Sequence, residues 1–301
     1  MRVTCKTELP SLSTTHQAFD TLAKIYFEAN SRSNTKMTFN LEKASHGDAN
    51  ISAVCASIGF VLGKSQNSLD IGPRKHGYNK VKLAKDMFGY RCSYAFQRFT
   101  FHSNGSEVKV IEPNRELEFR SYLIEDAIRP DWRKFIPVHY WVDVKDFLLK
   151  LYRNCSDHSN TDDPIFISSS FKNNVLTFTI ADCGSGFLKQ VRNVRDGIAS
   201  EAQAIAWAMN GSSVKGDDYS RTLKELGDYC WFNEGSLLVV SGNSSVEYKE
   251  NGVHEVQKLT SPIRGAVINF SIKIEKSELI DSEDEMAQFI DSSSASILKA
   301  A

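Results

Sequence analysis

An acidic residue ends an apolar segment in the middle of the chain, and two glycines follow it closely. The segment reads LTFTIADCGSGF, residues 176–187, and its apolar and β-branched residues predict a strand that ends at Asp182. A carboxylate at a strand end can accept hydrogen bonds from an exocyclic amine. Gly184 and Gly186 let the backbone approach a ligand without a Cβ clash. The stretch therefore suits an adenine-type ring held against a sheet, and an ordinary acidic turn is the alternative.

A second polar group lies on a predicted helix, VDVKDFLLKLYRNCSDHS, residues 142–159. Apolar residues at positions i, i+3, i+4 and i+7 mark the buried face of this helix. At about 100° per residue, Lys150, Asn154 and Asp157 fall together on one flank of that face. The carboxamide oxygen of Asn154 can ligate Mg²⁺, which prefers oxygen ligands, including those of phosphates and water. A solvated polar flank has the same pattern and is the alternative here.

Taken together, the two stretches resemble the GHKL superfamily, the ATP-binding domains of gyrases, chaperones, histidine kinases and MutL. In that superfamily a helix carries an Asn box, usually E-x-x-x-N-x-x-D/N, and a later strand end carries the first glycine box. LYRNCSDHS followed by FTIADCGSGF looks most like the histidine-kinase-like branch, in a layout comparable to anti-sigma serine kinases. The resemblance covers roughly residues 119–274 and implies an α+β fold, the two-layer α/β sandwich of the Bergerat type.

The resemblance also implies that the chain binds ATP and Mg²⁺. Asn154 would coordinate Mg²⁺ between the phosphates, and Asp182 would contact the adenine amine directly and through water. Gly184 and Gly186 would lie beside the base and ribose, and Gly265 belongs to the segment that resembles the closing Gly-Thr box. The cofactor-binding residues carried over from the family are Lys150, Asn154, Asp157, Asp182, Gly184, Gly186 and Gly265, with Asn154 as the metal ligand.

Four positions depart from the family pattern. Lys150 stands where hydrolytic members carry the Glu that deprotonates the attacking water, and such general-base help is worth about 10²–10⁴-fold. A lysine ammonium has no acceptor lone pair, so Lys150 cannot replace that Glu unless its pKa is strongly depressed. It can instead neutralise phosphate charge. Ser220 and Thr222 replace lid glycines, and Ala266 replaces the Thr of the last box.

These features lead to two hypotheses of different classes. The first is a cytoplasmic, Mg-ATP-binding regulatory protein of signalling or defence, with a histidine-kinase-like ATPase domain and slow or absent hydrolysis. Phosphotransfer stays open, so an active chain would be an ATPase or a serine- or histidine-type protein kinase. The second is a non-catalytic interaction module, a pseudo-ATPase that keeps the fold without turnover. Neither hypothesis assigns a catalytic residue.

The segments around these motifs predict two folded units and a tail. Residues 1–118 alternate predicted strands and helices, and the stretch MTFNLEKASHGDANISAVCASIGFVLGKSQNSLDIGP resembles STAS-like domains. This resemblance implies a small α/β unit on which a protein partner docks. Residues 119–274 form the predicted ATP-binding domain, with a β-hairpin that turns near Asn173 and Asn174. Residues 275–301 are an acidic, Ser-rich tail.

Composition bounds the remaining function classes. The chain has 301 residues, 41% of them hydrophobic, and 36 basic against 37 acidic residues give a net charge of -1. This balance argues against nucleic acid or an anionic membrane as a partner. The chain has six cysteines without a C-x-x-C pair, no apolar leader, and no apolar stretch near the ~20 residues of a membrane helix. These features predict a cytoplasmic protein with reduced thiols, and a homodimer stays open.

Overall fold

A computed structural model describes residues 3–8, 13–40, 48, 51–65, 67–71, 81–82, 105–106, 108–211, 221–249, 252 and 254–275. Ser220 and the predicted tail from residue 276 onward lie outside these residues. The described part is a mixed α+β protein with two sheets, which confirms the predicted fold class at this level. Within it, no helix combines the length and the apolar character needed to cross a membrane.

The N-terminal part of the chain alternates strands and helices. Its elements are β1 (Val3–Glu8), α1 (His16–Asn30), β2 (Thr35–Asn40), α2 (Ser52–Lys64), β3 (Ser68–Ile71) and β4 (Val81–Lys82). The strands form a sheet in the order β1-β2-β3-β4, in which β1, β2 and β3 are parallel and β4 is antiparallel to β3. Parallel neighbours need crossover connections, and α1 and α2 provide them. A small α/β unit is therefore present, and its STAS-like identity stays a prediction.

The rest of the described chain builds an antiparallel sheet with helices. Its elements are β5 (Lys109–Ile111), α3 (Glu116–Glu125), α4 (Pro130–Arg133), α5 (Val138–His158), β6 (Ile165–Lys172), β7 (Val175–Ala181), α6 (Gly186–Arg192), α7 (Glu201–Met209), α8 (Thr222–Phe232), β8 (Ser236–Tyr248) and β9 (His254–Lys273). The sheet order is β5-β6-β7-β9-β8, and every neighbouring pair is antiparallel. β5 precedes the predicted boundary at residue 118, and it is nevertheless the edge strand of this second sheet.

Local sequence explains the elements that carry the predicted motifs. α5 buries Val144, Leu148 and Leu151, which lie on one face at helical spacing. β6 and β7 are joined by Asn173 and Asn174, whose φ angles of 53° and 60° are the left-handed values of a two-residue hairpin turn. The predicted helix, the predicted hairpin and the predicted strand into the glycine box are therefore confirmed.

Helices cover both faces of the second sheet. On one face, Phe178 and Phe270 stack with ring centroids 5.5 Å apart and pack among apolar residues of α5 and α8. On the opposite face, Phe166 of β6 packs against Phe60 of α2, with ring centroids 5.8 Å apart. The N-terminal helices thus share one hydrophobic core with the C-terminal sheet.

Helix α2 is buried on every side. Each residue from Ser52 to Leu62 is buried, because the helix contacts β3 of the first sheet and β6 and β7 of the second. α1 lies beside it and contacts β9, where Asp20 Oδ1 accepts a hydrogen bond from the backbone N–H of Thr260 (2.6 Å). A helix that is apolar all round is typical of such an interior position. α2 therefore lies between the two sheets and reaches the end of β7, where the glycine box begins.

Candidate functional site

Asp182 follows β7 directly, and its side chain is enclosed between α5 and β9. Its backbone N–H donates to the carbonyl of Ala266 (3.0 Å), and its Oδ1 accepts from the backbone N–H of Gly184 (2.7 Å). The thiol of Cys155, on α5, forms a hydrogen bond with the same carboxyl group. Three elements therefore fix the orientation of the carboxyl group at the strand end.

The environment of Asp182 changes how readily it ionises. Only 6% of the residue is exposed, and burial raises the pKa of Asp182 to about 6, against the opposing effect of hydrogen bonds from Gly184, Ala266 and Cys155. An ionised carboxylate only accepts hydrogen bonds, whereas the protonated form also donates one. Because this pKa is near neutrality, small changes in pH convert Asp182 between two forms. In the ionised form both carboxylate oxygens accept hydrogen bonds from an amine, and in the protonated form one oxygen carries a proton that it donates.

Two of the predicted site glycines permit close packing around this loop. A Cβ atom on Gly184 would lie 2.1 Å from the carbonyl oxygen of Ser159, at the end of α5. A Cβ atom on Gly265, whose φ is +78°, would lie 2.1 Å from the carbonyl oxygen of Asp182. Packing within the protein alone thus requires glycine at both positions. Any contact of these two glycines with a base or ribose would be an additional role.

Two polar groups near the loop have no partner within the described protein. Ser159 Oγ lies in a residue that is 6% exposed, and it has no hydrogen-bond partner. The carboxamide of Asn154, which adjoins Cys155 on α5, is half-buried and forms no hydrogen bond with the described residues. Because buried polar groups are normally paired, the Ser159 hydroxyl is a group that a bound ligand can satisfy, whereas the half-buried Asn154 carboxamide is open to water or to a ligand. Asp157 lies one turn beyond Asn154 and is exposed.

Lys150 is held by carboxylates. Its Nζ lies 2.8 Å from Asp146 Oδ2 on the same helix and 3.6 Å from Glu225 Oε2 on α8. Burial lowers the pKa of Lys150, but the two carboxylates outweigh burial, and the net pKa is raised. Lys150 therefore stays protonated at neutral pH and cannot deprotonate a water molecule, as the sequence predicts. Its positive charge is already shared with two carboxylates before any phosphate approaches.

Glu201 is a residue near the glycine box that the sequence analysis does not find. Its Oε2 accepts the backbone N–H of Leu188 (3.0 Å) in the first turn of α6, and its carboxylate lies beside the hydroxyl of Ser241 on β8, which donates to the carbonyl of Gly265 (3.1 Å). Burial raises the pKa of Glu201, and the Leu188 N–H and the Ser241 hydroxyl offset part of that rise. A Cβ on Gly186, the first residue of α6, would lie 3.3 Å from the same carboxylate. Glu201 thus joins α6, α7 and β8, and no local motif marks it because its partners come from distant segments.

The phosphate end of the predicted site is less fully described. Thr222 is buried at the start of α8, Ala266 is buried in β9, and Ser220 lies outside the described residues. In the described part of the chain, no three His, Cys, Asp or Glu side chains come together as a metal site.

The polar groups around the loop can form hydrogen bonds with a ligand. A buried carboxyl group of raised pKa, an unpaired hydroxyl and an unpaired carboxamide surround one loop, which is the chemistry needed to recognise amine and hydroxyl groups. No protein-family model matches the chain, and no curated protein matches it. The resemblance to the GHKL superfamily therefore stays a prediction from the sequence motifs.

Proposed function

We propose that the chain binds Mg-ATP beside Asp182 and acts as a regulatory protein with slow or absent hydrolysis. The observation that carries this proposal is the buried Asp182 carboxyl group, which three elements orient at the end of β7. A carboxyl group held this way in a low-dielectric site is typical of specific recognition. The finer fold, a GHKL-type sandwich of the Bergerat class with a STAS-like N-terminal unit, belongs to the same proposal.

Asp182 would recognise the base by accepting a hydrogen bond from the exocyclic amine of adenine. Its Oδ1 is engaged by the Gly184 N–H, and each carboxylate oxygen has two lone pairs, so acceptor capacity remains. A hypoxanthine base carries an oxygen in place of that amine and would leave the buried carboxylate facing another acceptor. A site built on a buried hydrogen bond discriminates strongly against such an analogue.

At the phosphate end, the bound Mg²⁺ would neutralise charge on the phosphates. Asn154 would hold the ion through its carboxamide oxygen, which has no partner among the described residues. Lys150 is the residue at the position of the general base, and its raised pKa keeps it protonated. The absence of a base at this position supports slow or absent hydrolysis rather than fast turnover.

The alternative function is a pseudo-ATPase that uses the same fold for protein interaction. The pairing of Lys150 with Asp146 and Glu225 favours the pseudo-ATPase, because the two carboxylates already neutralise the lysine charge that a phosphate would need. A protein partner docked on the N-terminal unit, a homodimer and a cytoplasmic location are compatible with either function and remain proposals.

Calorimetric titration with ATP and ITP in the presence of Mg²⁺ tests base recognition. We expect the wild type to bind ATP more tightly than ITP, and Asp182→Asn to weaken ATP binding about 10- to 100-fold, the range for a hydrogen bond to a charged group. The matched control is Asp131→Asn, which changes an exposed carboxylate that pairs with Arg129. Equal ATP affinity of the two variants, or no binding by the wild type at millimolar ATP, contradicts the proposal.

Turnover assays separate the two functions. Phosphate release and transfer of radiolabelled phosphate from ATP are measured on the wild-type chain under saturating Mg-ATP. Binding with little or no turnover supports slow or absent hydrolysis. Rapid phosphate release contradicts both functions, whereas phosphotransfer to a protein contradicts the pseudo-ATPase alternative alone.

A further inference from the structure

Cys183 joins the glycine box to helix α2. It is 1% exposed, and its Sγ donates to the carbonyl oxygen of Ser57 at 3.8 Å. Cys183 lies between Asp182, which carries the carboxyl group, and Gly184, whose backbone N–H donates a hydrogen bond to that carboxyl group. The backbone that positions the candidate base contact therefore packs directly on a helix of the N-terminal unit.

A chain of charged groups links the end of α2 to the same residue. Lys64, the last residue of α2, pairs with Oδ1 of Asp163, which is 6% exposed. Arg264 of β9 lies 3.6 Å from the other oxygen of Asp163 through its Nη2, and its Nε donates to the carbonyl oxygen of Cys183 (2.8 Å). α2 thus contacts the Cys183 side chain through Ser57 and the Cys183 backbone through Asp163 and Arg264.

The energetic effect of this series of charged groups depends on the burial of Asp163. A buried carboxylate that loses one of its two cations is left under-compensated, which is costly in a low-dielectric environment. When Lys64 is replaced, Arg264 is the cation that remains beside Asp163 among the described residues, and it must compensate more of the carboxylate charge. Arg264 Nη2 is too far from Asp163 Oδ2 for a hydrogen bond, so a closer contact requires the guanidinium to move toward Asp163 and weakens its hydrogen bond to the Cys183 carbonyl.

The start of α2 is anchored to the same sheet. The backbone N–H of Ala53 donates to Ser168 Oγ on β6 (3.1 Å), which satisfies one of the N–H groups left unpaired in the first turn of a helix. One end of α2 is bound to β6 and the other to Asp163, and the helix also contacts β3 of the N-terminal sheet. α2 therefore connects that sheet to the glycine-box loop. A displacement of α2 therefore changes the support of Cys183, which follows Asp182 in the loop.

We infer that α2 couples the N-terminal unit to nucleotide affinity, so that whatever displaces α2 weakens binding at Asp182. This inference rests on the proposed function, because it concerns regulation of the same site. Lys64 and Arg264 act as positioning residues, since they hold the loop through Cys183 and do not contact the base themselves. Coupling of this kind is reciprocal, so bound ATP must also stabilise the α2 contacts.

The test compares Mg-ATP affinity in Lys64→Gln and Lys24→Gln. Lys24 is also paired with an acidic residue, Asp20, but on α1 and away from the loop. We expect Lys64→Gln to bind ATP at least roughly 5-fold more weakly, the lower end of typical couplings between sites. Lys24→Gln should bind Mg-ATP like the wild type. Lys64→Arg should keep the wild-type affinity for Mg-ATP, because it retains a cation beside Asp163.

Hydrogen exchange gives a readout that a general loss of stability does not produce. In the ligand-free protein, Lys64→Gln should speed exchange at the amides of Gly184 and Ser185 relative to a buried amide of β8, such as that of Val239. In the wild type, Mg-ATP should slow exchange in the last turn of α2. Should Lys64→Gln fail to fold, Arg264→Lys replaces it, because it keeps the charge facing Asp163 and removes the Nε donor to Cys183.

The outcomes separate this inference from the proposed function. A wild type that does not bind Mg-ATP overturns the proposed function and the coupling with it. A wild type that binds, with Lys64→Gln as tight as Lys24→Gln, overturns the coupling alone. Faster exchange at Gly184 and weaker binding that Lys64→Arg restores support the coupling.

Discussion

At the scale of single residues, Asp182 combines two properties that oppose each other. Burial makes its ionised form unfavourable, while the Gly184 N–H and the Cys155 thiol hold the carboxyl group in one orientation. Without a ligand, an ionised Asp182 lowers the stability of the fold. Perturbed carboxyl groups of this kind cluster at functional sites, which is why we propose a role for Asp182 in binding.

Asp182→Asn should stabilise the ligand-free protein at pH 8. The folded-state pKa of about 6 lies above the ordinary value of 3.8, so the folded state binds more protons than the unfolded state between these values. Wild-type stability therefore falls as pH rises through this window, and all of the loss is present at pH 8. Asn carries no charge and escapes this loss, which is on the order of 1–3 kcal/mol.

Urea unfolding of both proteins at pH 4 and pH 8 measures the difference in the free energy of unfolding. The advantage of the variant should be largest at pH 8 and nearly absent at pH 4, where Asp182 is protonated in the folded wild type. A variant less stable than the wild type at pH 8 would show that the ionised carboxylate contributes to the fold. Gain of stability with loss of ATP binding is the pattern expected of a functional residue.

At the scale of elements, α5 and α8 are joined along one side by polar and aromatic contacts. Lys150 of α5 pairs with Glu225 of α8, and Phe147 and Tyr229 bring their rings to 5.2 Å between centroids. The resemblance to the GHKL superfamily implied that Lys150 can neutralise phosphate charge, and this role stays a prediction. The pairing between two helices accounts for a lysine at this position without reference to a ligand.

Lys150→Glu should lower the free energy of unfolding, because it places a third carboxylate beside Asp146 and Glu225. Partly exposed ion pairs contribute about 0.2–1 kcal/mol each, so a loss of up to roughly 2 kcal/mol is expected when two are replaced by repulsions. The double variant Lys150→Glu with Glu225→Lys should recover part of it. Thermal unfolding measures both, with Lys172→Glu as the control at an exposed lysine.

The same variant also tests the chemistry of the position. If Lys150→Glu gains ATP hydrolysis in the phosphate-release assay, the wild type is a nucleotide binder that lacks a general base. Unchanged stability of Lys150→Glu would mean that the Asp146 and Glu225 contacts contribute nothing measurable in solution.

At the scale of the whole molecule, the C-terminal sheet depends on helices from the start of the chain. Phe166 on β6 is 1% exposed because Phe60 of α2 packs against it, and Val240 and Val267 lie in the same cluster. Residues far apart in sequence thus complete one core. Removing the N-terminal helices would expose an apolar sheet face to water.

Phe60→Ala should destabilise both parts of the molecule together. Loss of a buried Phe side chain typically costs about 3–5 kcal/mol, and this one lies at the contact between α2 and the second sheet. Phe27→Ala on α1, at a residue that is 51% exposed, is the matched control and should change little. Urea unfolding followed by circular dichroism and by tryptophan fluorescence should give coincident transitions. Two separated transitions would contradict a shared core.

Much of the local structure was predictable from the sequence alone. The helical spacing of Val144, Leu148 and Leu151 predicted α5, and the Asn173–Asn174 turn predicted the β6–β7 hairpin. These predictions succeeded because helix periodicity and turn conformation depend on neighbouring residues. The types and spacing of Asp182 and Asn154 also singled them out as candidate site residues, and their roles stay predictions.

The tertiary structure alone decided which partners those residues have. Asp182 contacts the thiol of Cys155, Lys150 contacts the carboxylate of Glu225, and Glu201 contacts the backbone of Leu188. These contacts join segments that no local sequence pattern connects. Burial, which sets the pKa of Asp182, depends on how α5 and β9 close over the strand end. The position of α2 between two sheets also follows from packing, because the sequence shows that a helix is apolar all round but not which surfaces cover it.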